Sequence, residues 1–180
     1  MYELFQLNWF KSMAKIKKNF AKLILIITLI INYISISAQP TVGQSSQFYT
    51  KEHFVIDLYT STEWMRCSVR QRWNGETCTG KIINLNHDQM EEVLKLASEQ
   101  LGSGWRLPTR KELESLVCRD CKIPKINSEI FPNTDPVPYW TGERNKFAKR
   151  HFWSVNFYTG NTYGRFYPYQ SLAVRLVRNR

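Results

Sequence analysis

The four cysteines are the residues of this sequence that could most readily do chemistry. Cys118 and Cys121 have the C-x-x-C spacing of redox dithiols, but redox pairs usually stand at a helix N-terminus, where the helix dipole stabilises a thiolate. Here the pair follows the end of a predicted helix, so we expect a structural disulfide. Of the three connectivities that four cysteines allow, we predict the local pairs Cys67–Cys78 and Cys118–Cys121, with buried free thiols as the alternative.

The types and spacing of the residues do not favour a metal site or acid–base catalysis. A zinc site of four cysteines would need a second closely spaced pair, which Cys67 and Cys78 do not form. His53, His87 and His151 have no mutual spacing typical of ligands, and calcium would need a cluster of oxygen ligands that the sequence lacks. We therefore expect no metal, no cofactor and no catalytic residue.

The last 42 residues are strongly basic and aromatic. Residues 139–180 contain eight Lys or Arg and one acid, Glu143, a net charge of +7, whereas residues 39–138 carry a net charge of −1. Eleven aromatic residues lie among these cations. Arg and Lys suit sulfate and phosphate groups, and aromatic faces stack on sugar rings. Our candidate ligand-binding residues are Arg144, Lys146, Lys149, Arg150, His151, Arg165 and Arg175.

A plainer interpretation of the same segment is that its cations solvate the surface while its aromatic side chains fill a small core. The difference in charge between the two parts of the chain favours an anion-binding surface.

The N-terminus has the parts of a secretory signal. Five lysines precede an apolar run at residues 23–31, and Ala38 supplies a small residue at a cleavage position. The run is shorter than the roughly 20 residues that span a bilayer. We predict a signal peptide at 1–38, a linker or N-terminal arm at 39–52 and one domain at 53–180. The mature chain would be periplasmic or extracellular, without a membrane span, in a compartment where disulfides persist.

Two helices and several short strands must position the candidate residues. Residues 87–101 have an apolar stripe with helical spacing, and Thr109-x-x-Glu112 is a capping box at the start of a second helix. Residues 54–59 and 63–69 are rich in β-branched and aromatic residues and suit short strands, and partial alternation predicts strands at 139–141, 151–157, 163–166 and 172–178. Trp153, Val155 and Phe157 share one face. This order predicts an α+β fold with a mostly antiparallel sheet and long irregular loops.

Six segments in this order resemble the Lcl C-terminal domain family, which is named for the C-terminal domain of a bacterial collagen-like adhesin. They are residues 63–80 (EWMRCSVRQRWNGETCTG), 104–117 (GWRLPTRKELESLV), 126–134 (INSEIFPNT), 139–143 (YWTGE), 152–160 (FWSVNFYTG) and 174–178 (VRLVR). The resemblance implies a C-type-lectin-like fold, with two helices packed on a twisted sheet, and relatives among formylglycine-generating enzymes. The adhesin is associated with sulfated glycosaminoglycans and with trimers, but this chain lacks Gly-x-y repeats.

These observations lead to one main hypothesis. The chain would be an exported, non-enzymatic binding module that recognises anionic, sulfated glycans or other envelope polyanions. The alternatives are a structural or partner-binding envelope protein and, less favoured, a formylglycine-generating-type or thiol-redox enzyme. Nucleic acid is not expected as a partner of an exported chain, and the oligomeric state is left open.

Overall fold

A computed structural model describes residues 47–180. The predicted signal peptide and residues 39–46 of the predicted linker lie outside the described residues. Within 47–180, no helix combines the length and the apolar character that crossing a membrane requires.

Nine short strands and two α-helices form in residues 47–180. The strands are β1 Phe48–Lys51, β2 Phe54–Asp57, β3 Thr62–Met65, β4 Arg72–Trp73, β5 Cys78–Thr79, β6 Pro138–Arg144, β7 Phe152–Asn156, β8 Asn161–Phe166 and β9 Val177–Asn179. The helices are α1 Met90–Leu101, which a 3₁₀ turn at His87–Gln89 precedes, and α2 Arg110–Ser115. The prediction of a mixed fold with two helices and antiparallel strands is confirmed.

The strands form two main sheets and a separate hairpin. The first sheet has the order β1-β2-β3-β9, the second has the order β6-β7-β8, and β4 pairs with β5. All the strand pairs are antiparallel. The predicted strand at 172–178 is only partly a strand, because Leu172 and Ala173 form isolated bridges with Leu85 and Tyr139, and β9 starts at Val177.

Strand β1 lies inside the predicted linker. It pairs along its whole length with β2, from Phe48 opposite Asp57 to Lys51 opposite Phe54. The ring of Phe48 lies 5.7 Å from that of Phe131, edge to face, and packs on the core. The folded unit therefore begins before residue 53, because half-buried Phe48 anchors this polar segment on the core.

Two clusters of buried side chains hold these elements together. The first includes Trp64, Leu113 and Tyr139, and the second includes Trp105 and Trp140. Because successive side chains of a strand point to opposite faces, adjacent Tyr139 and Trp140 reach different clusters. Residues 139–141 of β6 are therefore covered on both faces, whereas the last three residues of the strand are exposed. Strand β7 pairs beside β6.

The predicted capping box is present at the start of α2. The backbone N–H of Glu112 donates to Thr109 Oγ1 at 3.2 Å, and Glu112 Oε2 accepts from the backbone N–H of Thr109 at 2.7 Å. Leu113 is fully buried, and the helix packs against β6 and β7. These interactions place the first turn of α2, with Arg110 and Lys111, beside the beginning of β7.

Both predicted disulfides are confirmed. Cys67–Cys78 joins the segment after β3 to β5, and Cys118–Cys121 closes a short loop after α2. All four cysteines of the sequence are therefore paired.

Candidate functional site

A cleft of about 550 Å³ opens between the first turn of α2 and the loop that joins β6 to β7. We call it the Trp153 cleft. Four of its lining residues are cations and one is an acid, so the excess charge around it is positive. The lining residues are Thr109, Arg110, Lys111, Glu143, Arg144, Lys146, Phe147 and Trp153.

Arg110 connects α2 to the aromatic floor of the cleft. Its guanidinium carbon lies 4.6 Å from the centroid of the Trp153 ring, a cation–π contact. Its Nε also lies 3.5 Å from Glu114 Oε1, which accepts a 2.7 Å hydrogen bond from Thr162 Oγ1 of β8. Arg110 is thus held beside Trp153 while part of its side chain stays exposed.

The Trp153 ring lies across a glycine of the neighbouring strand. A Cβ atom built on Gly164 would stand 2.7 Å from Trp153 Cζ3 and 2.7 Å from Asn145 Nδ2. The pairing between β7 and β8 is irregular at this point. Of the three residues predicted to share one face, Val155 and Phe157 are buried, whereas Trp153 is half-buried and lines the cleft.

Asn145 organises the β6–β7 loop, residues 145–151. Its Oδ1 accepts from the backbone N–H of Phe147 at 2.9 Å, and its Nδ2 donates to the carbonyl of Gly164 at 2.8 Å. Its own backbone N–H donates to the carbonyl of His151 at 2.8 Å, which closes the loop. The loop presents Phe147, which is 97% exposed, beside the cations of the cleft.

Five of the predicted cations lie on the surface. Arg144 and Lys146 line the Trp153 cleft, and Lys149 and Arg150 are exposed in the same loop. Arg165 is exposed on β8, with its guanidinium carbon 4.9 Å from the centroid of the Tyr163 ring. Within the part of the chain that the structure describes, none of these five has a carboxylate within 4.0 Å.

Arg175 was predicted as a ligand-binding residue, and this prediction is wrong. Its side chain is fully buried and donates to the backbone carbonyls of Met65, at 2.9 Å, and Arg66. It also donates to Ser68 Oγ at 3.3 Å and Thr134 Oγ1 at 2.7 Å. Burial lowers its pKa to about 10, so the guanidinium is charged at neutral pH and serves the core.

The two histidines near the site are packed among aromatic rings. The ring of His151 lies 4.3 Å from that of Tyr167, and His151 is half-buried. The ring of His87 lies 3.7 Å from that of Phe152, and the guanidinium carbon of Arg144 lies 4.8 Å from the same ring. Burial lowers the pKa of His87, and the charge of Arg144 lowers it further, so this imidazole is neutral at pH 7.

Six lining residues of the cleft are absent from the ligand-binding candidates that the sequence suggested: Thr109, Arg110, Lys111, Glu143, Phe147 and Trp153. The capping box at Thr109 did place Arg110 and Lys111 in the first turn of a helix, where two adjacent cations are unfavourable beside the positive end of the helix dipole. The unfavourable position of these two cations was a local signal in the sequence that they do something other than stabilise the helix. The approach of this turn to the β6–β7 loop depends on tertiary packing, for which the sequence has no local signal.

Two other cavities of the described chain have a different character. One, of about 680 Å³, is lined mainly by polar residues near Cys78, and its single charged lining residue is Asp135. The other, of about 400 Å³, has no charged lining residue. No group of three or more His, Cys, Asp or Glu residues in 47–180 could hold a metal ion.

Two disulfides, two helices and antiparallel sheets define a small disulfide-linked α/β domain with a basic, aromatic cleft on its surface. The chain belongs to the Lcl C-terminal domain family, whose family model matches residues 53–178. No curated protein and no solved structure matches the chain. The C-type-lectin-like fold therefore stays a prediction.

Proposed function

We propose that this chain is an exported, non-enzymatic binding module that recognises sulfated or otherwise anionic glycans through the Trp153 cleft and the β6–β7 loop. One observation carries the proposal: cations without acidic partners lie beside an accessible tryptophan. Arg144 and Lys146 line the cleft with Trp153, and neither has a carboxylate within ion-pair distance in residues 47–180.

The charge of the cleft suits a ligand with several anionic groups. Lys111 adds a third cation to Arg144 and Lys146, and Glu143 is the one acid of the lining. The ion pair of Arg110 with Glu114 is more than one-third exposed on both sides, so it contributes little and can be exchanged for a ligand anion. Sulfate groups would make charge-assisted hydrogen bonds with these side chains.

The aromatic side chains favour a glycan over a compact anion. Trp153 and Phe147 offer apolar area next to the cations, and a sugar ring has both an apolar C–H face and polar edges. Amphipathic rings such as that of Trp suit sites that are apolar on one side and wet on the other. A free sulfate or phosphate ion would use none of this area.

The disulfides support export and a binding role. Disulfides persist in oxidising compartments, which agrees with the predicted signal peptide. A thiol-redox or formylglycine-generating-type reaction that used these cysteines would first require a reduced pair, and all four are paired. Export and the lack of enzymatic activity stay proposals that the chemistry of the site favours.

Elution from a heparin column tests the proposed function. The double variant Arg144→Gln/Lys146→Gln should elute at lower salt, and the dependence of log affinity on log salt should weaken by roughly one unit for each anionic group that the variant no longer binds. The control, Lys81→Gln/Lys122→Gln, removes the same charge from two exposed lysines that do not line the cleft. It should elute close to the wild type.

Circular dichroism must first show that both variants are folded. Equal elution of the two variants would mean that overall charge, and not this cleft, governs retention. A wild-type protein that heparin does not retain would leave the partner-binding envelope protein as the better interpretation, with exposed Phe147 as its contact residue.

A further inference from the structure

A second aromatic surface lies next to the β6–β7 loop. The rings of Tyr167 and Tyr169 are nearly parallel, with centroids 5.2 Å apart and an interplanar angle of 11°. The ring of His151 lies 4.3 Å from that of Tyr167. Tyr169 is 68% exposed, so much of this stack is open to solvent. We call His151, Tyr167 and Tyr169 the tyrosine platform.

Hydrogen bonds hold the backbone of the turn that carries the two tyrosines. The backbone N–H of Gln170 donates to the carbonyl of Tyr167 at 3.0 Å, and Gln170 Oε1 accepts from the backbone N–H of Tyr167 at 2.8 Å. Pro168 has a fixed φ, and its carbonyl accepts from the backbone N–H of His87 at 2.9 Å. A ligand that stacks on these rings would therefore not have to order the backbone that carries them, which lowers the entropic cost of binding.

The platform is continuous with the loop that carries the cations. His151 is the last residue of that loop, and its backbone N–H donates to the carbonyl of Ala148 at 2.8 Å. The same loop presents Lys149 and Arg150 at the surface, and nearer its beginning it carries Lys146, which lines the Trp153 cleft. A chain-like ligand could therefore contact the platform and the cations at the same time.

We propose that the tyrosine platform is a carbohydrate subsite that stacks on the apolar face of a pyranose ring, while the neighbouring cations bind the anionic groups of the same glycan. This inference rests on the proposed function and adds the feature by which the protein recognises sugar. Planar aromatic side chains provide rigid contact area at low entropic cost. A polyanion without rings has nothing to place on this surface, so the platform would separate anionic glycans from other polyanions.

Calorimetry with two probes tests this subsite, with a chondroitin sulfate oligosaccharide as the glycan and inorganic polyphosphate as the polyanion without rings. Tyr169→Ala should weaken binding of chondroitin sulfate by about tenfold, the size typical of removing an aromatic ring that stacks on a ligand. Binding of polyphosphate should change less than about twofold, because Tyr169 carries no charge. Tyr169→Phe keeps the ring and should bind like the wild type.

Tyr158→Ala is the matched control, because Tyr158 is also an exposed tyrosine but follows β7 outside the platform. It should leave both affinities unchanged. Should Tyr169→Ala unfold, Tyr169→Leu keeps apolar area without an aromatic face and should show the same selective loss. Equal losses for both probes, or no loss for chondroitin sulfate, would overturn the subsite. A wild-type protein that binds neither probe would instead overturn the proposed function.

Discussion

Gly164 determines where the Trp153 ring lies, because the ring occupies the space where any other residue at position 164 would have a side chain. A Cβ atom at this position would stand 2.7 Å from Trp153 Cζ3 and 2.8 Å from Cε3, closer than carbon atoms approach without displacement. Asn145, which bonds to the carbonyl of Gly164, would be displaced as well. The absence of a side chain at position 164 therefore makes room for both the Trp153 ring and Asn145 of the β6–β7 loop.

Gly164→Ala is expected to move the Trp153 ring and loosen the β6–β7 loop. Overpacking of this kind costs about 1–3 kcal/mol of unfolding free energy. We expect a shifted tryptophan emission spectrum and earlier elution from heparin, measured on the folded variant. Unchanged emission and unchanged elution together would show that neither Trp153 nor the loop depends on this glycine.

At the scale of elements, the ion pair between Arg106 and Glu112 secures the start of α2. Two hydrogen bonds of 2.8 Å join the guanidinium to the two carboxylate oxygens, and Glu112 also caps the helix through Thr109. The bond from Arg106 is the main cause that lowers the pKa of Glu112. Arg110 and Lys111 lie between Thr109 and Glu112 in the first turn of α2. The Arg106–Glu112 ion pair therefore controls how α2 presents these two cations to the cleft.

The lowered pKa of Glu112 makes the stability of the domain depend on pH. Its contribution is complete above the unfolded-state pKa of the Glu112 carboxyl and is lost as the pH falls through the lower folded-state pKa. Glu112→Gln should lower the unfolding free energy at pH 7 by about 1–2 kcal/mol, and its difference from the wild type should shrink below pH 4. Urea unfolding at pH 7 and pH 3 measures both effects.

Glu99→Gln is the control, because Glu99 is exposed on α1 and has no ion-pair partner in the described chain. This variant should change the unfolding free energy little at either pH. A loss for Glu112→Gln that is equally large at pH 3 would contradict the role of the carboxylate charge.

The elements also show what could be predicted from the sequence. Both helices were predicted because periodicity and the capping box are local signals, and the local cysteine pairs are joined as expected. Arg175 was predicted to lie on the surface because it alternates with the apolar residues Val174 and Leu176. Such alternation predicts an outward side chain only when the other face of the segment is exposed to solvent. Every residue from 172 to 177 is buried, so both faces of this segment are covered.

At the scale of the whole molecule, the excess of cations in residues 139–180 is larger than the number of these cations that the fold leaves free at the surface. Arg175 lies in the core, and Arg178 donates to Glu63 Oε2 at 2.6 Å and lies over the Trp105 ring, so both are structural. The fold compensates by bringing Arg110 and Lys111 from the helical region to the β6–β7 loop. Net charge along the sequence thus predicts an anionic ligand, but it could not give the composition of the cleft.

The two disulfides should contribute unequally to the stability of this scaffold. Cys67 and Cys78 are 11 residues apart and buried, whereas Cys118 and Cys121 are 3 apart. On the chain-entropy model the longer loop contributes about 3 kcal/mol and the shorter about 2 kcal/mol. Cys67→Ala/Cys78→Ala should therefore lower the urea midpoint more than Cys118→Ala/Cys121→Ala, and the lost packing of two buried sulfur atoms adds to the difference.

Neither disulfide touches the Trp153 cleft, so the shorter one can be removed without changing its lining. The folded Cys118→Ala/Cys121→Ala variant should elute from heparin with the wild type while unfolding at lower urea. If the disulfide only stabilises the scaffold of the binding site, its removal should lower the stability of the domain and leave its retention on heparin unchanged. A site whose chemistry used the C-x-x-C pair predicts the reverse, with ligand retention lost at nearly unchanged stability.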